Sequence, residues 1–236
     1  MSEPATVVLV HGAWHGAWCW APVVERLEQA GVPVVALDLP GHGDDPRPVT
    51  DLHGHGDAVR TALDAVDGPV ILVGHSFGGA AITDAGTHPA VRHLVYVTAF
   101  CIDTHESVMT NDLEGGAGTV LELRFGTDGT ITVDPDVAVE AFYADCEPDR
   151  AAAAVARLVP EHAAGFGQSP RVAAWRERPS TYVLCTDDRA VLPALQRNLA
   201  ARCDDVVEID ASHSPFQSRP DELTAVLVDL ATRAGA

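Results

Sequence analysis

The sequence predicts an α/β fold, in which a mostly parallel sheet is covered by helices on both faces. Short runs rich in β-branched apolar residues alternate along the chain with longer segments of helical periodicity, a pattern typical of such a sheet. The alternation stops once, between Cys101 and Pro179, where glycine-rich turns such as Gly115–Gly118 and short helical patches take its place. We therefore expect one domain, residues 1–236, with residues 101–179 inserted as a helical lid.

Six segments are predicted to be strands because each is short, rich in β-branched residues and followed by turn or helical sequence. The first and third are wholly apolar apart from one threonine, as expected of strands that are buried on both faces. In chain order the predicted strands are Thr6–Val10, Val32–Leu39, Val70–Val73, Val91–Ala99, Thr181–Cys185 and Asp205–Ile209.

Helices are predicted between these strands, where apolar residues recur at helical spacing. The first helix is expected to stop at Gly31, because glycine commonly terminates helices. The helix after the third strand consists of small residues that suit close packing, and is expected to end near His88-Pro89. The predicted segments are Trp18–Ala30, Val49–Val66 (a turn and then a helix), Gly79–Ala85, Pro193–Ala201 and Asp221–Ala231, with Pro135–Cys146 and Pro148–Leu158 in the lid.

The charge of the chain limits its partners. It carries 34 acidic and 15 basic residues, a formal net charge of −19, and every basic residue is an arginine. Such a surface repels phosphate backbones and anionic lipids, so neither nucleic acid nor a membrane is expected as a partner. The absence of lysine also excludes Schiff-base chemistry and a P-loop lysine. A small molecule is the expected partner, and a homodimer is left open.

The cysteines and the first apolar run predict a cytoplasmic protein. The five cysteines are odd in number and scattered along the chain, unlike a disulfide framework. The apolar run at Thr6–Val10 is too short for a signal peptide or a membrane span, and no basic segment precedes it.

The pentapeptide Gly74-His75-Ser76-Phe77-Gly78 lies between an apolar strand and a helix of small residues. A Gly-x-Ser-x-Gly in this context is typical of a nucleophile elbow, in which a sharp turn exposes the serine above the sheet. The two glycines are required because a side chain at either position would strike the neighbouring strand or helix. The pattern predicts Ser76 as a nucleophile.

A serine hydroxyl needs a base that removes its proton, and histidine is the usual one. In proteins with such an elbow, an acid and then the histidine follow the serine along the chain. His213 follows the last strand and precedes the last helix, so its loop lies at the sheet edge where the elbow also opens. We predict that His213 is the base. The histidines that precede Ser76 are excluded from that role by chain order.

Three aspartates are candidates for the carboxylate that orients His213. Asp187 and Asp188 both follow the strand that ends at Cys185. Asp188 is preferred because it lies five residues before Pro193. This spacing leaves room for a loop that carries the acid toward the histidine. Asp187 is then a turn residue. Asp103, just past the fourth strand, remains an alternative.

An oxyanion hole needs two backbone amides aimed at the site where negative charge develops. The amide that follows the nucleophile, that of Phe77, is one candidate. The loop after the first strand supplies the other, and Ala13, two residues past His11, is predicted to face the serine. A plain glycine-containing turn with no special role is the alternative for this loop.

The substrate pocket is predicted from the same loop and from apolar residues of the lid. Gly12 and Trp14 are assigned to it, with Trp14 at the pocket mouth; packing together with Trp18 and Trp20 is the alternative for Trp14. Phe100, Phe125 and Phe142 are assigned to an apolar wall under the lid. Packing within the lid is an equal alternative for these aromatic residues and for their neighbours Leu121, Leu123, Leu158 and Phe166.

No metal site is predicted. His53 and His55, with Asp51 and Asp57 nearby, have a spacing that suggests metal binding, but no further ligands follow at a fixed spacing.

These motifs together resemble the α/β-hydrolase superfamily. The resemblance rests on the segment from His11 to Trp18, the elbow, the segment from Asp188 to Pro193 and the loop of His213. Within the superfamily the sequence is similar to the branch of plant methyl esterases, S-selective hydroxynitrile lyases and bacterial esterases. The resemblance implies a triad and an oxyanion hole and no cofactor: Ser76, Asp188 and His213 form the triad, and the amides of Ala13 and Phe77 form the oxyanion hole.

Two departures from the lyases favour hydrolysis. The lyases of this branch have a lysine directly after the catalytic histidine, where this chain has Ser214, and a threonine where it has Gly12. The expected function is that of a serine hydrolase which cleaves a small, largely apolar carboxylic ester through an acyl-enzyme. The alternative is a lyase or isomerase that uses the same triad as a base.

Overall fold

A computed structural model describes residues 3–114, 121 and 123–235. Two sheets are present in this part of the chain, one of six strands and one of three. The strands are β1 (Thr6–Val10), β2 (Val34–Leu37), β3 (Val70–His75), β4 (Val91–Val97), β5 (Leu123–Phe125), β6 (Thr130–Val133), β7 (Glu161–His162), β8 (Ser180–Cys185) and β9 (Asp205–Ile209).

The helices of the described residues alternate with the strands of the larger sheet. They are α1 (Ala21–Gln29), α2 (Leu52–Asp64), α3 (Gly78–Ala85), α4 (Val108–Glu114), α5 (Pro135–Phe142), α6 (Pro148–Val155), α7 (Ala164–Gly167), α8 (Pro193–Ala200), α9 (Pro215–Ser218) and α10 (Pro220–Gly235), and two 3₁₀ turns cover Ala17–Trp20 and Ala174–Arg176.

The larger sheet is parallel and has the order β2-β1-β3-β4-β8-β9. Because the chain passes from β1 to β2 on one side and then to β3 on the other, the strand order reverses between β1 and β3. Ligands of such sheets bind at this reversal, outside the carboxyl ends of the strands. The loops after β1 and β3, which contain the predicted oxyanion amides and serine, therefore adjoin one another.

Two apolar layers cover the sheet, which confirms the predicted α/β class. On one face, Val7, Leu9 and Ile71 pack against α1 and α10. On the other face, Val8 and Leu72 pack against α2, α3, α8 and residues of the lid. All eight residues of α3 are buried, because this helix lies between the sheet and the segments above it. No helix in the described part of the chain is long and apolar enough to cross a bilayer.

The predicted boundaries differ from the observed ones where proline or an exposed edge intervenes. The segment predicted as one helix, Trp18–Ala30, is a 3₁₀ turn followed by α1, with Pro22 in the first turn of α1, a position at which proline needs no amide donor. Its end at Gly31, which has a φ of 72°, is confirmed. The edge strand β2 is shorter than the predicted Val32–Leu39 and half-exposed.

The segment between β4 and β8 contains the helical patches that the sequence predicts, as α5 and α6, together with α4 and α7. It also contains an antiparallel sheet of the three short strands β5, β6 and β7. Sequence reasoning missed these strands because each is only two to four residues long. The turn predicted at Gly115–Gly118 lies outside the described residues.

The packing of α3 against β1 predicts the effect of a methyl group at the elbow. A Cβ added to Gly78 would lie 2.4 Å from the carbonyl oxygen of His11, and nothing lies within 4 Å of the corresponding position at Gly167. We expect Gly78→Ala to lower the free energy of unfolding by about 1–3 kcal/mol, since backbone must shift to relieve the contact. Urea denaturation should show Gly167→Ala to be close to wild type. Equal stability of the two variants would contradict the close packing of α3.

Candidate active site

Ser76 lies at the turn between β3 and α3 with a backbone φ of 52°. A non-glycine residue in this region is strained by about 1–3 kcal/mol and needs support from its surroundings. The support comes from backbone hydrogen bonds: the Ser76 amide donates to Val97, and its carbonyl accepts from Gly79 and Phe100 at 2.9 and 3.1 Å. The half-buried serine lines an apolar pocket.

His213 lines the same pocket and is buried in the loop after β9. Its Nδ1 lies 2.7 Å from Oδ2 of Asp188. Because a carboxylate accepts, Nδ1 is the donor of this contact, which leaves Nε2 as the nitrogen that faces away from Asp188. The backbone of this loop is fixed as well, since His75 donates from Nε2 to the carbonyl oxygen of His213 at 2.8 Å.

Asp188 is buried and accepts hydrogen bonds on both oxygens. Oδ1 accepts from the amides of Ala190 and Val191 at 2.7 and 2.9 Å. Oδ2 accepts from the Thr98 hydroxyl and from Gln196 Nε2, in addition to His213. Thr98 has a φ of 40°, a strained conformation for a β-branched residue. Buried charge is tolerated when it is hydrogen-bonded in this way.

The other two candidate acids lie elsewhere. Asp187 is exposed, and its amide donates to Ala211. Asp103 forms an ion pair with Arg176, which lowers the pKa of that carboxyl. Of the three aspartates weighed from the sequence, Asp188 is the one that the structure places against His213.

Ala13 and Phe77 are both buried and both line the pocket beside the serine. Within the described residues, no protein acceptor takes a hydrogen bond from the amide of Ala13 or of Phe77. Two unused amides beside a strained serine are what an oxyanion hole requires. The next residue, Trp14, has a φ of 64°, so the loop after β1 turns sharply where Ala13 meets the pocket.

A histidine and a tyrosine that sequence reasoning did not assign position this loop. His15 Nδ1 donates to the carbonyl oxygen of Ala13 at 2.7 Å, and the hydroxyl of Tyr143 donates to His15 Nε2 at 2.7 Å. Burial lowers the pKa of His15 to about 4, so the ring is neutral and can accept at Nε2. His15 was visible in the sequence motif, but Tyr143 lies in the lid and had no local signal.

The pocket has a volume of about 150 Å³, and the described residues that line it are apolar apart from Ser76 and His213. A cavity of this size holds a benzene-sized group. Phe125 is 74% exposed, whereas Trp14, Phe100 and Phe142 are buried. The structure therefore places Phe125 at the mouth and Trp14 deeper in the wall. The lining residues are Ala13, Trp14, Ser76, Phe77, Phe100, Val108, Met109, Leu121, Leu123, Phe125, Ile131, Phe142, Ala163, Phe166, Ala190, Val191 and His213.

Gly12, which was assigned to the substrate pocket, is not among these residues. A Cβ at Gly12 would lie 2.8 Å from His75 Nδ1 and 2.9 Å from Ser76 Cβ. Gly12 therefore packs behind the serine, and its lack of a side chain allows the loop after β1 to approach the elbow.

Three of the four residues weighed as metal ligands are engaged in other contacts, and the fourth, His55, faces Glu161. Asp51 accepts from the amide of Gly54 as the N-cap of α2, and His53 Nε2 donates to Ser169 at 2.9 Å. Asp57 forms ion pairs with Arg60 and Arg171.

A family model described as alpha/beta hydrolase family matches residues 7–226, and the chain belongs to this family. Alpha/beta hydrolase nvfD of Aspergillus novofumigatus is 30% identical to this chain over an alignment 251 residues long. The alignment covers 99% of this chain and 99% of that protein. Methylesterase 7 of Arabidopsis thaliana is 29% identical over an alignment 266 residues long, which covers 96% of this chain and 96% of that protein.

A solved structure extends the comparison to three dimensions. The crystal structure of a pyrethroid hydrolase from Sphingobium faniae JZ-2 has a TM-score of 0.83 at 26% identity, covering 96% of this chain and 97% of that one. The predicted resemblance to plant methylesterases and bacterial esterases is confirmed.

The buried histidines predict how stability depends on pH. Burial lowers the pKa values of His11, His15 and His75, that of His15 to about 4. These rings are neutral in the folded protein, whereas in the unfolded chain they take up protons below about pH 6.5. Their contribution to the free energy of unfolding is therefore complete above that pH and is lost as the pH falls. We expect the free energy of unfolding to fall by up to about 1.4 kcal/mol per pH unit per histidine below that point.

Urea denaturation at a series of pH values from neutral to mildly acidic measures this slope. The pKa of His42 is raised, because its contacts with Glu161 outweigh the effect of burial. His42 therefore contributes to the pH slope with the opposite sign, and it offsets the contribution of one of the three neutral histidines. His15→Gln should reduce the slope, and substitution of the exposed His105 should leave it unchanged. A stability independent of pH over this range would contradict the neutral state of the buried rings.

Proposed function

We propose that this protein is a serine esterase that cleaves a small, largely apolar carboxylic ester through an acyl-enzyme. One observation carries the proposal: the strained Ser76 and His213 line one apolar pocket, and His213 is hydrogen-bonded to the buried Asp188 behind it. A nucleophile, a base and an orienting acid are the groups that acyl transfer needs, and the pocket supplies a place for the ester.

In the first step, Ser76 Oγ attacks the ester carbonyl carbon, and His213 Nε2 removes the hydroxyl proton. Asp188 keeps Nδ1 protonated and stabilises the imidazolium that forms. The five hydrogen bonds that reach Asp188 hold its carboxylate in place, so the orientation of His213 is fixed before substrate binds.

The tetrahedral intermediate carries its negative charge on the former carbonyl oxygen. The amides of Ala13 and Phe77 donate to this oxygen in our proposal, since neither has another acceptor among the described residues. His213 then donates its proton to the leaving alkoxide. Water attacks the acyl-enzyme in the same way, and the carboxylic acid is released with Ser76 restored. No cofactor takes part.

The wall of the pocket supports an apolar, uncharged substrate. Among the described residues, no acidic residue or arginine lines it, so a charged substituent would lose its hydration without gaining a partner there. The names of the relatives agree with this choice, since one is a methylesterase and another a pyrethroid hydrolase.

The lyase alternative has less support. Ser214 is buried, and its hydroxyl has no hydrogen-bond partner in the described part of the chain. The chain contains no lysine that could stabilise a departing cyanide. We therefore expect the turnover of mandelonitrile to be slow beside that of the best ester.

The first test of the proposal is Ser76→Ala. We expect this variant to lose at least about 10⁴-fold in kcat for p-nitrophenyl acetate, because no other group replaces the nucleophile. Wild-type Ser76 should also be labelled by a fluorophosphonate, as mass spectrometry of the peptide would show. Ser218→Ala, in α9, serves as the control. A Ser76→Ala variant with one tenth of wild-type kcat and an unchanged circular dichroism spectrum would refute the proposal.

The second test compares two neighbouring aspartates. Asp188→Asn should lower kcat by about 10³–10⁴-fold, because an amide at this position favours the wrong tautomer of His213. Asp187→Asn should remain close to wild type, since that side chain is exposed. The reverse ranking would assign the acid to Asp187. Two variants with wild-type kcat would direct attention to Asp103.

A further inference from the structure

Three ionisable side chains are buried together outside the predicted catalytic set. His42 lies in the loop after β2, His55 in α2 and Glu161 in the lid strand β7. They are 0%, 0% and 1% exposed, and one donor atom from each lies within 4.8 Å of the other two. Three distant segments of the chain thus place two imidazoles and a carboxylate in contact in the protein interior.

The spacing of the donor atoms matches that of ligands around a shared cation. His42 Nε2 lies 3.1 Å from Glu161 Oε2, and His55 Nε2 lies 3.3 Å from Glu161 Oε1. In a tetrahedral zinc site with bonds of about 2.0–2.1 Å, neighbouring donor atoms are about 3.3 Å apart. Each imidazole faces a different carboxylate oxygen, and the three residues together offer three ligands, one from each side chain.

The hydrogen bonding of His42 leaves its contact with Glu161 unsatisfied in the neutral ring. His42 Nδ1 lies 3.1 Å from the carbonyl oxygen of Pro40, and a carbonyl only accepts, so Nδ1 carries a proton. In the neutral ring, Nε2 then presents a lone pair to Glu161 Oε2, which also only accepts when the carboxyl is ionised. The contact is favourable if Nε2 bears a second proton, if Glu161 Oε2 is protonated and donates to Nε2, or if both atoms bind a metal ion.

The direction of the contact favours the metal. Although 3.1 Å is short enough for a hydrogen bond, neither His42 Nε2 nor Glu161 Oε2 has an aligned hydrogen-bond partner among the described residues. The two atoms are therefore close but unpaired, and a metal ion bound to both would satisfy them.

The charge of Glu161 also requires a partner. Its Oε1 accepts from the amide of His162 at 2.8 Å and faces His55 Nε2 at 3.3 Å, whereas Oε2 has no hydrogen-bond partner in the described part of the chain. In the described part of the chain no arginine forms an ion pair with Glu161. Buried charges in proteins are either paired or bound to metals.

We propose that His42, His55 and Glu161 form a structural site for a divalent transition metal ion such as zinc. Imidazole nitrogen and carboxylate oxygen are ligands that zinc accepts, and the donor set of two histidines and one glutamate is a known one for it. The site would connect the lid strand β7 to α2 and to the loop after β2. It is independent of the proposed esterase activity.

The position of the site indicates what the metal would stabilise. The ring of His55 lies 5.9 Å from that of Phe77, and the ring of His42 lies 5.1 Å from that of His11. Phe77 belongs to the elbow and His11 to the loop after β1. A metal here holds the lid against the two loops that carry the candidate oxyanion amides, without contact with the substrate.

The test measures zinc in the full-length protein. Protein refolded with excess Zn²⁺ and passed through metal-free buffer should retain about one equivalent by elemental analysis and native mass spectrometry. The zinc-loaded form should have a higher Tm than the chelator-treated form, since a ligand of the native state stabilises it. His55→Gln and Glu161→Gln should each lose the zinc. The matched controls His53→Gln, two residues along in α2, and His162→Gln, next to Glu161, should keep it.

X-ray absorption of the zinc-loaded wild type decides the result even if the variants fail to fold. Nitrogen and oxygen neighbours at about 2.0–2.1 Å, including two imidazoles, are expected, and sulfur at about 2.3 Å would place the zinc on cysteines and overturn the proposal. Retention of zinc by both folded cluster variants would overturn it as well. Wild-type protein that retains less than about one tenth of an equivalent would show that a proton alone joins His42 to Glu161.

Discussion

The buried carboxylate of Asp188 connects the carboxyl ends of three neighbouring strands. Thr98 follows β4, Asp188 follows β8 and His213 follows β9, and Gln196 of α8 closes the set. A buried carboxylate is tolerated only while its hydrogen bonds are made, so each of these segments is held by the same group. The strain at Thr98 is sustained by this arrangement. The position of the histidine beside the serine thus depends on contacts well outside the pocket.

The lid has two separate effects on the candidate site. Its apolar side chains, such as Phe142 and Phe166, form part of the pocket wall and exclude charged groups. Its Tyr143 donates to His15, which in turn holds the carbonyl oxygen of Ala13. A change in the lid would therefore alter both the wall of the pocket and the position of the Ala13 backbone. For this reason the lid is better described as a part of the site than as a cover over it.

Histidines supply much of the buried polar structure around the pocket. His11, His15 and His75 are kept neutral by burial and serve as hydrogen-bonding groups between backbone segments. His42 and His55 instead face the carboxylate of Glu161. With both rings neutral, His42 Nε2 and Glu161 Oε2 have no hydrogen-bond partner among the described residues. The same residue type thus fixes loops in one place and offers ligand atoms in another, and the difference lies in whether a carboxylate faces the ring.

The sequence determined the features that depend on neighbouring residues. The ranges of β1 and β9, the helix stop at Gly31 and the serine at an elbow follow from local apolar runs and glycines. Tertiary structure decided which side chains meet. Asp187 and Asp188 are adjacent in the chain, yet only packing buries one against His213. Tyr143 reaches His15, and Glu161 reaches His42 and His55, across more than 100 residues. Local sequence patterns do not predict such contacts, because these contacts depend on how the lid and the sheet pack together.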